Sequence, residues 1–535
     1  MESNKVIRVV SRSSPLSLLQ VGEVFSFLPH VSYNLVSMES FGDKHKEISL
    51  MDNIAGDFFT RELDAVLQNN EADIAVHSAK DLPYPLPADL ELYALTEAVD
   101  KTDSLVSRGN LTLSQLPPNA RVGTSSAARK AELLKLRPDL AIVAIRGTIE
   151  ERIAQVDNND IDALIVATCA LIRLNLSHRI AEALPFKTHA LQGNLAVVGR
   201  KGNAKLKAVF SGFDIRKKYG KVTLAGFGPG NPDLLTIGAD KALSKADIIF
   251  HDDLIDIRFL DKYAAQKVYV GKRKGKHSHH QDEINELVYR AALSGNNTVR
   301  LKGGDPMIFA HGREEIDFLK SRFVEVEVIP GISAGTALAA YTHIPLTHRG
   351  VSSSVAFITG HSGKCIQTPC ADTLVYYMGG ENMSRIAGEL IRNGKSAGAP
   401  AALVYNVSLP GQKVFYTSLE ELQYSVMKYP APLLIVAGET VALESREANR
   451  QKVLVTGTVS TDYGGLGNII HTPLIKIEKM QRNSAWDALL PEIGAYDWII
   501  FTSRYGVRFF FEMLEESQFD IRLLAAVKTA SVGKT

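Results

Sequence analysis

Cysteine is scarce: 535 residues carry three, Cys169, Cys365 and Cys370, with no CxxC pair among them. That excludes a disulfide scaffold and reads as ordinary free thiols in a reducing compartment. Net charge is scarce too, at +1, which excludes both a global basic field for nucleic acid and an acidic tail. No stretch approaches the roughly 18 apolar residues of a spanning helix. The N-terminus "MESNKVIRVVSRSS" lacks the apolar run and small-residue cleavage site of a secretory signal. Internal repeats and low-complexity tracts are missing as well. What remains, 45% hydrophobic and 22% charged residues, is the balance of a soluble globular protein. The expectation is a cytoplasmic protein with small-molecule partners, engaging neither nucleic acid nor membrane, whose anionic ligands are held by local clusters of Arg and Lys.

Short β-branched runs alternate with amphipathic stretches throughout. "VIRVVS", "DIAVHSA", "ALIVAT", "KVTLAGF", "DIIFHD", "TVRLKGG", "SVAFITG", "TLVYYM", "PLLIVAG" and "WIIFTS" read as buried strands of parallel sheets, each followed by a turn and a helix-compatible segment. The fold class is α/β and multidomain. Two seams divide it. The basic stretch Gly199 to Lys221 reads as a connector, and the charged stretch Gly438 to Lys452 precedes another fresh strand. Three modules follow, at 1–215, 219–448 and 452–535.

In the first module "ADIAVHSAKDLP" sends a strand into a polar turn carrying Lys80 and Asp81, either a loop ion pair or a ligand-facing carboxylate. "VGTSSAARK" sets Thr124, Ser125 and Ser126 at a strand-to-helix turn, an anion seat or a simple cap, with Arg129 one turn in. Arg146, Arg152 and Arg173 add guanidinium forks suited to carboxylates. With "SRSSPLSLLQV" and "LRPDLAIVAIRGTIEERI", these motifs resemble hydroxymethylbilane synthase (porphobilinogen deaminase) over about 200 residues. The resemblance implies two domains of periplasmic-binding-protein type with a ligand cleft between them. It implies Asp81 as the catalytic acid, and Arg12, Ser14, Lys80, Thr124, Ser126, Arg129, Arg146, Arg152, Arg173 and Gln192 as holders of cofactor and substrate carboxylates. The chain departs from that family at Ala128 and at Gly56-Asp57. It also lacks the third domain, whose cysteine anchors the dipyrromethane cofactor, so no covalent dipyrromethane is expected. A non-catalytic tetrapyrrole-binding or scaffolding unit is the alternative.

The middle module opens on "LAGFGPGNPDLLT". Pro229 falls where a helix should open, so the stretch fails the dinucleotide pattern G-x-G-x-x-G. "RLKGGDPMIF", "VIPGISAG", "PLTHRG", "FITGH" and "YYMGG" are further glycine-bearing turns after strands. Any one is a plain turn; together they argue for a cleft lined by backbone. From Lys221 to Val441 these residues resemble the uroporphyrinogen III C-methyltransferase family, among the tetrapyrrole methylases. The resemblance implies two α/β lobes with S-adenosylmethionine between them, contacted by Pro229, Gly303, Gly304, Asp305, Ile308, Ser333, Ala334 and Met378. Asp252 matches the proton acceptor and Lys272 the proton donor, while Arg273 joins the cations that face the substrate's carboxylates. His251, Met307 and Val407 depart from the usual residues. His277, His279 and His280 crowd one loop without a distant partner, so no metal is expected. A homodimer through this domain is a further expectation. The implied reaction converts uroporphyrinogen III to precorrin-2 with two methyl donors; methylation of a later corrinoid precursor is the alternative.

The last module, with "FTSRYGV", resembles the start of uroporphyrinogen III synthase over about 85 residues and is expected to be an incomplete α/β lobe. Thr502 and Ser503 stand at a helix start, where they bind a carboxylate or cap the helix. Assembly, ring closure and methylation are consecutive steps of tetrapyrrole biosynthesis, leading to sirohaem, cobalamin or haem, so the three resemblances agree.

Overall fold

The computed structural model describes the chain apart from residues 1–5, 46, 49–50, 52–54, 254, 256, 272–280, 362–368, 426–430, 449–451, 459–467 and 533–535. Lys272, Arg273, His277, His279, His280 and Cys365 therefore lie outside the described residues. The rest is mixed α/β: four five-stranded sheets and two two-stranded ribbons.

The first sheet runs in the order Tyr33–Met38, Ile7–Arg12, Ile74–Ser78, Leu195–Arg200, Leu90–Leu95. The second runs Ala141–Val143, Arg121–Gly123, Ala163–Ala167, Asp103–Ser107, Glu182–Leu184. The third, Gln266–Tyr269, Ile248–His251, Thr298–Gly303, Val222–Gly228, Val326–Ile329, is parallel throughout. The fourth, Val355–Thr359, Thr373–Tyr377, Leu433–Ala437, Pro400–Tyr405, Lys413–Ser418, has one parallel pair.

The expectation of parallel sheets thus holds for one sheet of the four. Leu195–Arg200 runs antiparallel to both its neighbours, as Asp103–Ser107 does in the second sheet. A strand covered on both faces reads as a continuous apolar run whichever way its neighbours point, so the run does not report direction. Leu195–Arg200 returns to the first sheet only after the whole second sheet has been inserted between them.

The basic stretch after Gly199 is also not a spacer. Its residues Ala204–Phe210 form a helix capped by Asn203, and Phe210 is fully buried against Ile7, Phe25 and Tyr93. Arg216 then donates to the carbonyls of Leu92 at 3.0 Å and Tyr93 at 3.2 Å, tying the segment to the sheet edge. The periodicity was hidden because only Leu206, Val209 and Phe210 pack into the core, between two lysines of which Lys207 is ion-paired with Glu91 at 2.6 Å. Phe210→Ala is expected to cost the first module about 3–5 kcal/mol, read as an earlier melting transition. An unmoved transition would restore the spacer reading.

Two buried groups give this module opposing pH responses. Burial, with Arg12 nearby, pushes His77 from its ordinary 6.5 down to about 4. The unfolded chain then binds the extra proton, so stability is lost as pH falls from 6.5 towards 4, by about 3 kcal/mol in full. Burial pushes Asp64 up from 3.8 to about 6. Its contribution is present at low pH and is lost as pH rises through 6, the opposite slope. Asp64→Asn is therefore expected to steepen acid destabilisation between pH 6 and 4, measured by thermal unfolding across that range.

Candidate functional site

Two sites emerge. The first is a cavity of about 260 Å³ lined by residues from the first and second sheets. Arg12 ends its strand there, Ser14 caps the helix Pro15–Ser26, and the turn Ala79–Asp81 delivers Lys80 and Asp81. Arg129, Arg146, Arg152 and Arg173 complete the lining from the other side.

These cations divide into two sets. Arg12 is forked onto Asp43, Arg129 onto Asp103 at 2.6 and 2.9 Å, and Arg173 onto Glu23 at 2.6 and 2.9 Å. Lys80, Arg146 and Arg152 instead meet neutral oxygens: Gln192 Oε1 at 3.3 Å, the Gly42 carbonyl at 2.7 Å and the Gly147 carbonyl at 2.9 Å. Burial pushes Arg152 down to about 10, helped by its like-charged neighbours Arg129, Arg146 and Arg12. Burial likewise lowers Lys80 and Arg146, with Arg129 and Arg12 respectively adding to the strain. A polyanion entering here relieves that repulsion.

Gln192 joins the two sets, accepting from Lys80 and donating to Asp103 at 2.9 Å. Thr124 and Ser126 do not line the cavity. Thr124 is buried and accepts from Ser126 N at 3.2 Å, and Ser126 caps the helix Ala127–Leu136. Cys169 does line it, a placement missed in the sequence because "VATCALIRL" reads as plain core.

The second site lies where the third and fourth sheets meet. Parallel pairing brings the ends of Val222–Gly228, Thr298–Gly303 and Val326–Ile329 to one edge. Gly228 and Gly304 exchange two backbone hydrogen bonds, of 3.2 and 2.7 Å. A Cβ on Gly226 would stand 2.5 Å from Gly331 Cα and 2.6 Å from the Gly304 carbonyl, so the three turns touch backbone to backbone. Gly304 itself, at φ +71°, has open space where a Cβ would be. Asp305 staples the turns, accepting from Met307 N at 2.8 Å and Gly331 N at 3.0 Å. Pro229 and Ile308 flank this junction, and Ile308 N donates to the Asp305 carbonyl at 3.2 Å.

Contacts across the seam bring in Tyr377, Gly335, Asn231, Tyr341 and Ser408, which the sequence reading did not single out. Tyr377 Oη lies 2.5 Å from Ser333 Oγ and accepts from Gly335 N at 2.7 Å, anchoring the start of the helix Ala334–Thr342. Ser333 is thereby buried and engaged. Asn231 reaches Ser408 Oγ at 3.3 Å and Tyr341 Oη at 3.1 Å. Met378 is half-exposed at φ +56°. Val407 is buried in the fourth sheet's core between Asn406 and Ser408, both of positive φ.

At the neighbouring strand end, Asp252 accepts from Arg300 Nη2 at 2.6 Å. His251 is buried, its ring edge-on to Tyr269 at 5.7 Å. Met307 is exposed. In the last segment Ser503 caps the helix Arg504–Glu516 through Gly506 N at 3.1 Å, and Thr502 is exposed beside it. Among the described residues no group of three or more His, Cys, Asp or Glu is placed to hold a metal.

Comparison with known proteins follows the same division. Residues 7–208 match the family "Porphobilinogen deaminase, dipyromethane cofactor binding domain". Residues 221–423 match "Tetrapyrrole (Corrin/Porphyrin) Methylases", and residues 462–535 match uroporphyrinogen-III synthase. A siroheme synthase of Pseudomonas aeruginosa is 39% identical over 294 residues, 51% of this chain and 63% of its own. That of Methylococcus capsulatus is 37% identical over 310 residues, 52% and 65% of the two chains. The chain thus spans under two thirds of those relatives. Among solved structures, a uroporphyrin-III C-methyl transferase from Thermus thermophilus complexed with S-adenyl homocysteine is 37% identical. The match covers 42% of this chain and 94% of that one, at a TM-score of 0.37. The chain carries, in order, a segment of the porphobilinogen deaminase family, a domain of the tetrapyrrole methylase family and a segment of the uroporphyrinogen-III synthase family.

Proposed function

We propose that residues 219–448 are a two-lobed S-adenosylmethionine-dependent methyltransferase that converts uroporphyrinogen III to precorrin-2. The observation that carries this reading is the glycine junction of residues 226, 304 and 331, set within a segment that matches the tetrapyrrole methylases. The open position over Gly304 and the exposed Met378 leave backbone accessible to a flat ligand, so the residues suit the methyl donor. Pro229, Gly303, Gly304, Asp305, Ile308, Ser333, Ala334 and Met378 would hold it, with Asp305 and Ser333 acting through the turns they fix. Bound donor supplies an electrophilic methyl group to an electron-rich pyrrole carbon. The chain's part is to orient the reactants, which is worth up to about 7–11 kcal/mol of barrier, and to move a ring proton. Asp252, held at the strand end by Arg300, takes that proton. Lys272 is assigned as proton donor, and Arg273 as a carboxylate partner.

The first module, as a two-domain cleft of periplasmic-binding-protein type, takes the carboxylates of a linear or cyclic tetrapyrrole on Lys80, Arg146 and Arg152. Its cations without carboxylate partners favour a binding unit, with Asp81 as its acid where turnover occurs. Thr502 and Ser503 belong to a synthase-like lobe at 452–535. A cytoplasmic homodimer joined through residues 219–448 completes the proposal; among the described residues no helix is long and apolar enough to cross a membrane.

The test is competition for labelled methyl groups between uroporphyrinogen III and an already methylated corrinoid precursor. Preference for uroporphyrinogen III supports the proposal. Preference for the corrinoid would move the reaction to a later step.

A further inference from the structure

Central strands of parallel sheets are normally apolar on both faces. Thr298–Gly303 is central in the third sheet, yet it carries Arg300 and Lys302, each under 5% exposed. Two residues apart, they lie on one face. Burying two cations is costly unless each is closely paired.

The charges balance, while Arg300 Nε is buried without a hydrogen-bond partner among the described residues. Arg300 donates through Nη2 to Asp252 at 2.6 Å, and through Nη1 to the Leu301 carbonyl at 3.0 Å and the Phe250 carbonyl at 3.4 Å. Its Nε lies 3.6 Å from Glu315 Oε1. The same oxygen accepts from Lys302 Nζ at 2.6 Å and from Gln281 Nε2 at 3.0 Å. Burial and the nearby Arg300 hold Lys302 below its ordinary ammonium range, opposed by Glu315. Two cations thus meet two carboxylates. Three of the four side chains are at most 5% exposed, whereas Asp252 is 29% exposed. Gln281, which begins the helix Gln281–Leu293, directly follows the cationic segment 272–280.

We propose that Arg300 and Glu315 are positioning residues for methyl transfer, forming a buried charge relay that fixes the Asp252 carboxylate at the site and ties it to the helix that follows the cationic segment 272–280 in sequence. For stability alone, apolar side chains of similar volume would serve as well or better. What the charged arrangement adds is one solvent-reaching carboxylate with a single orientation. Lysine at 300 keeps the charge but loses the fork that grips Asp252 and two carbonyls together.

This inference rests on the methyltransferase reading with Asp252 as proton acceptor. The test is a double-mutant cycle in the full chain with Arg300→Lys, Asp252→Asn and both together, measuring kcat on uroporphyrinogen III and calorimetric binding of S-adenosylhomocysteine. Arg300→Lys is expected to lower kcat about 30-fold while donor-analogue affinity stays within about twofold, and the double variant should be no slower than Asp252→Asn alone. The charge-balanced pair Glu315→Gln with Lys302→Met guards against misfolding. It keeps the buried charge at zero and should still lower kcat about tenfold, because Arg300 loses an anchor. Multiplying effects of Arg300→Lys and Asp252→Asn would overturn the relay alone, as would a kcat loss matched by lost donor binding. Wild-type turnover by Asp252→Asn would sink the role of Asp252 and the relay with it.

Discussion

Gly331→Ala is expected to abolish donor binding while leaving the remainder of the fold intact. The added Cβ would stand 2.2 Å from the Gly304 carbonyl and 2.7 Å from Gly226 Cα. All of these are backbone atoms, and no side-chain rotation relieves the clash. Overpacking of this kind costs about 1–3 kcal/mol, met here by parting the turns. Parting them also breaks the 3.0 Å bond from Gly331 N to Asp305. Affinity for S-adenosylhomocysteine, measured by calorimetry, should fall at least about 100-fold, since each buried charged hydrogen bond contributes about 1.5–3 kcal/mol on top of the clash. Gly22→Ala is the control: its Cβ meets nothing within 4 Å, and it should leave binding unchanged. Equal affinities for the Gly331 variant and wild type would mean that the donor sits elsewhere.

Replacing Arg146 and Arg152 together by glutamine should remove polycarboxylate binding from the first module. Both residues line the cavity, each spends one donor on a carbonyl, and among the described residues neither is paired with a protein carboxylate. Charge-assisted bonds to a ligand contribute about 1.5–3 kcal/mol each, so two lost cations correspond to roughly 10²–10⁴ in affinity. The opposite sign applies to the fold. Neutralising two crowded cations removes repulsion that burial has already turned into a lowered Arg152, and the module should melt no earlier than wild type. Equilibrium binding of uroporphyrin and a thermal melt on the same sample check both halves. Lost binding with an earlier melt would mark the pair as structural.

Much of this was legible in the sequence because the relevant signals are local. Turns after strands announce themselves by glycine, which is why Gly303, Gly304 and Asp305 appear together in both sequence and structure. The basic residues of the first module stood out through the motifs that resemble hydroxymethylbilane synthase, and eight of the expected ligand holders and acids line one cavity. What escaped is non-local. Strand direction in the first, second and fourth sheets depends on when a strand returns, and hydrophobicity does not encode that. The helix Ala204–Phe210 was masked by its lysines. Thr124 and Ser126 satisfy both an anion-seat pattern and a capping pattern, and only geometry assigns them to the turn. Arg300, Lys302 and Glu315 sat inside or just beyond quoted motifs, yet their meaning arises from a pairing that spans three elements.

The central claim is that the seam between the third and fourth sheets transfers methyl groups to a porphyrinogen. The most direct measurement is the mass of uroporphyrinogen III after anaerobic incubation with the full chain and S-adenosylmethionine. The account expects the addition of two methyl groups, lost in Asp252→Asn with donor binding retained. An unmodified porphyrinogen, in the presence of tight S-adenosylhomocysteine binding, would contradict it.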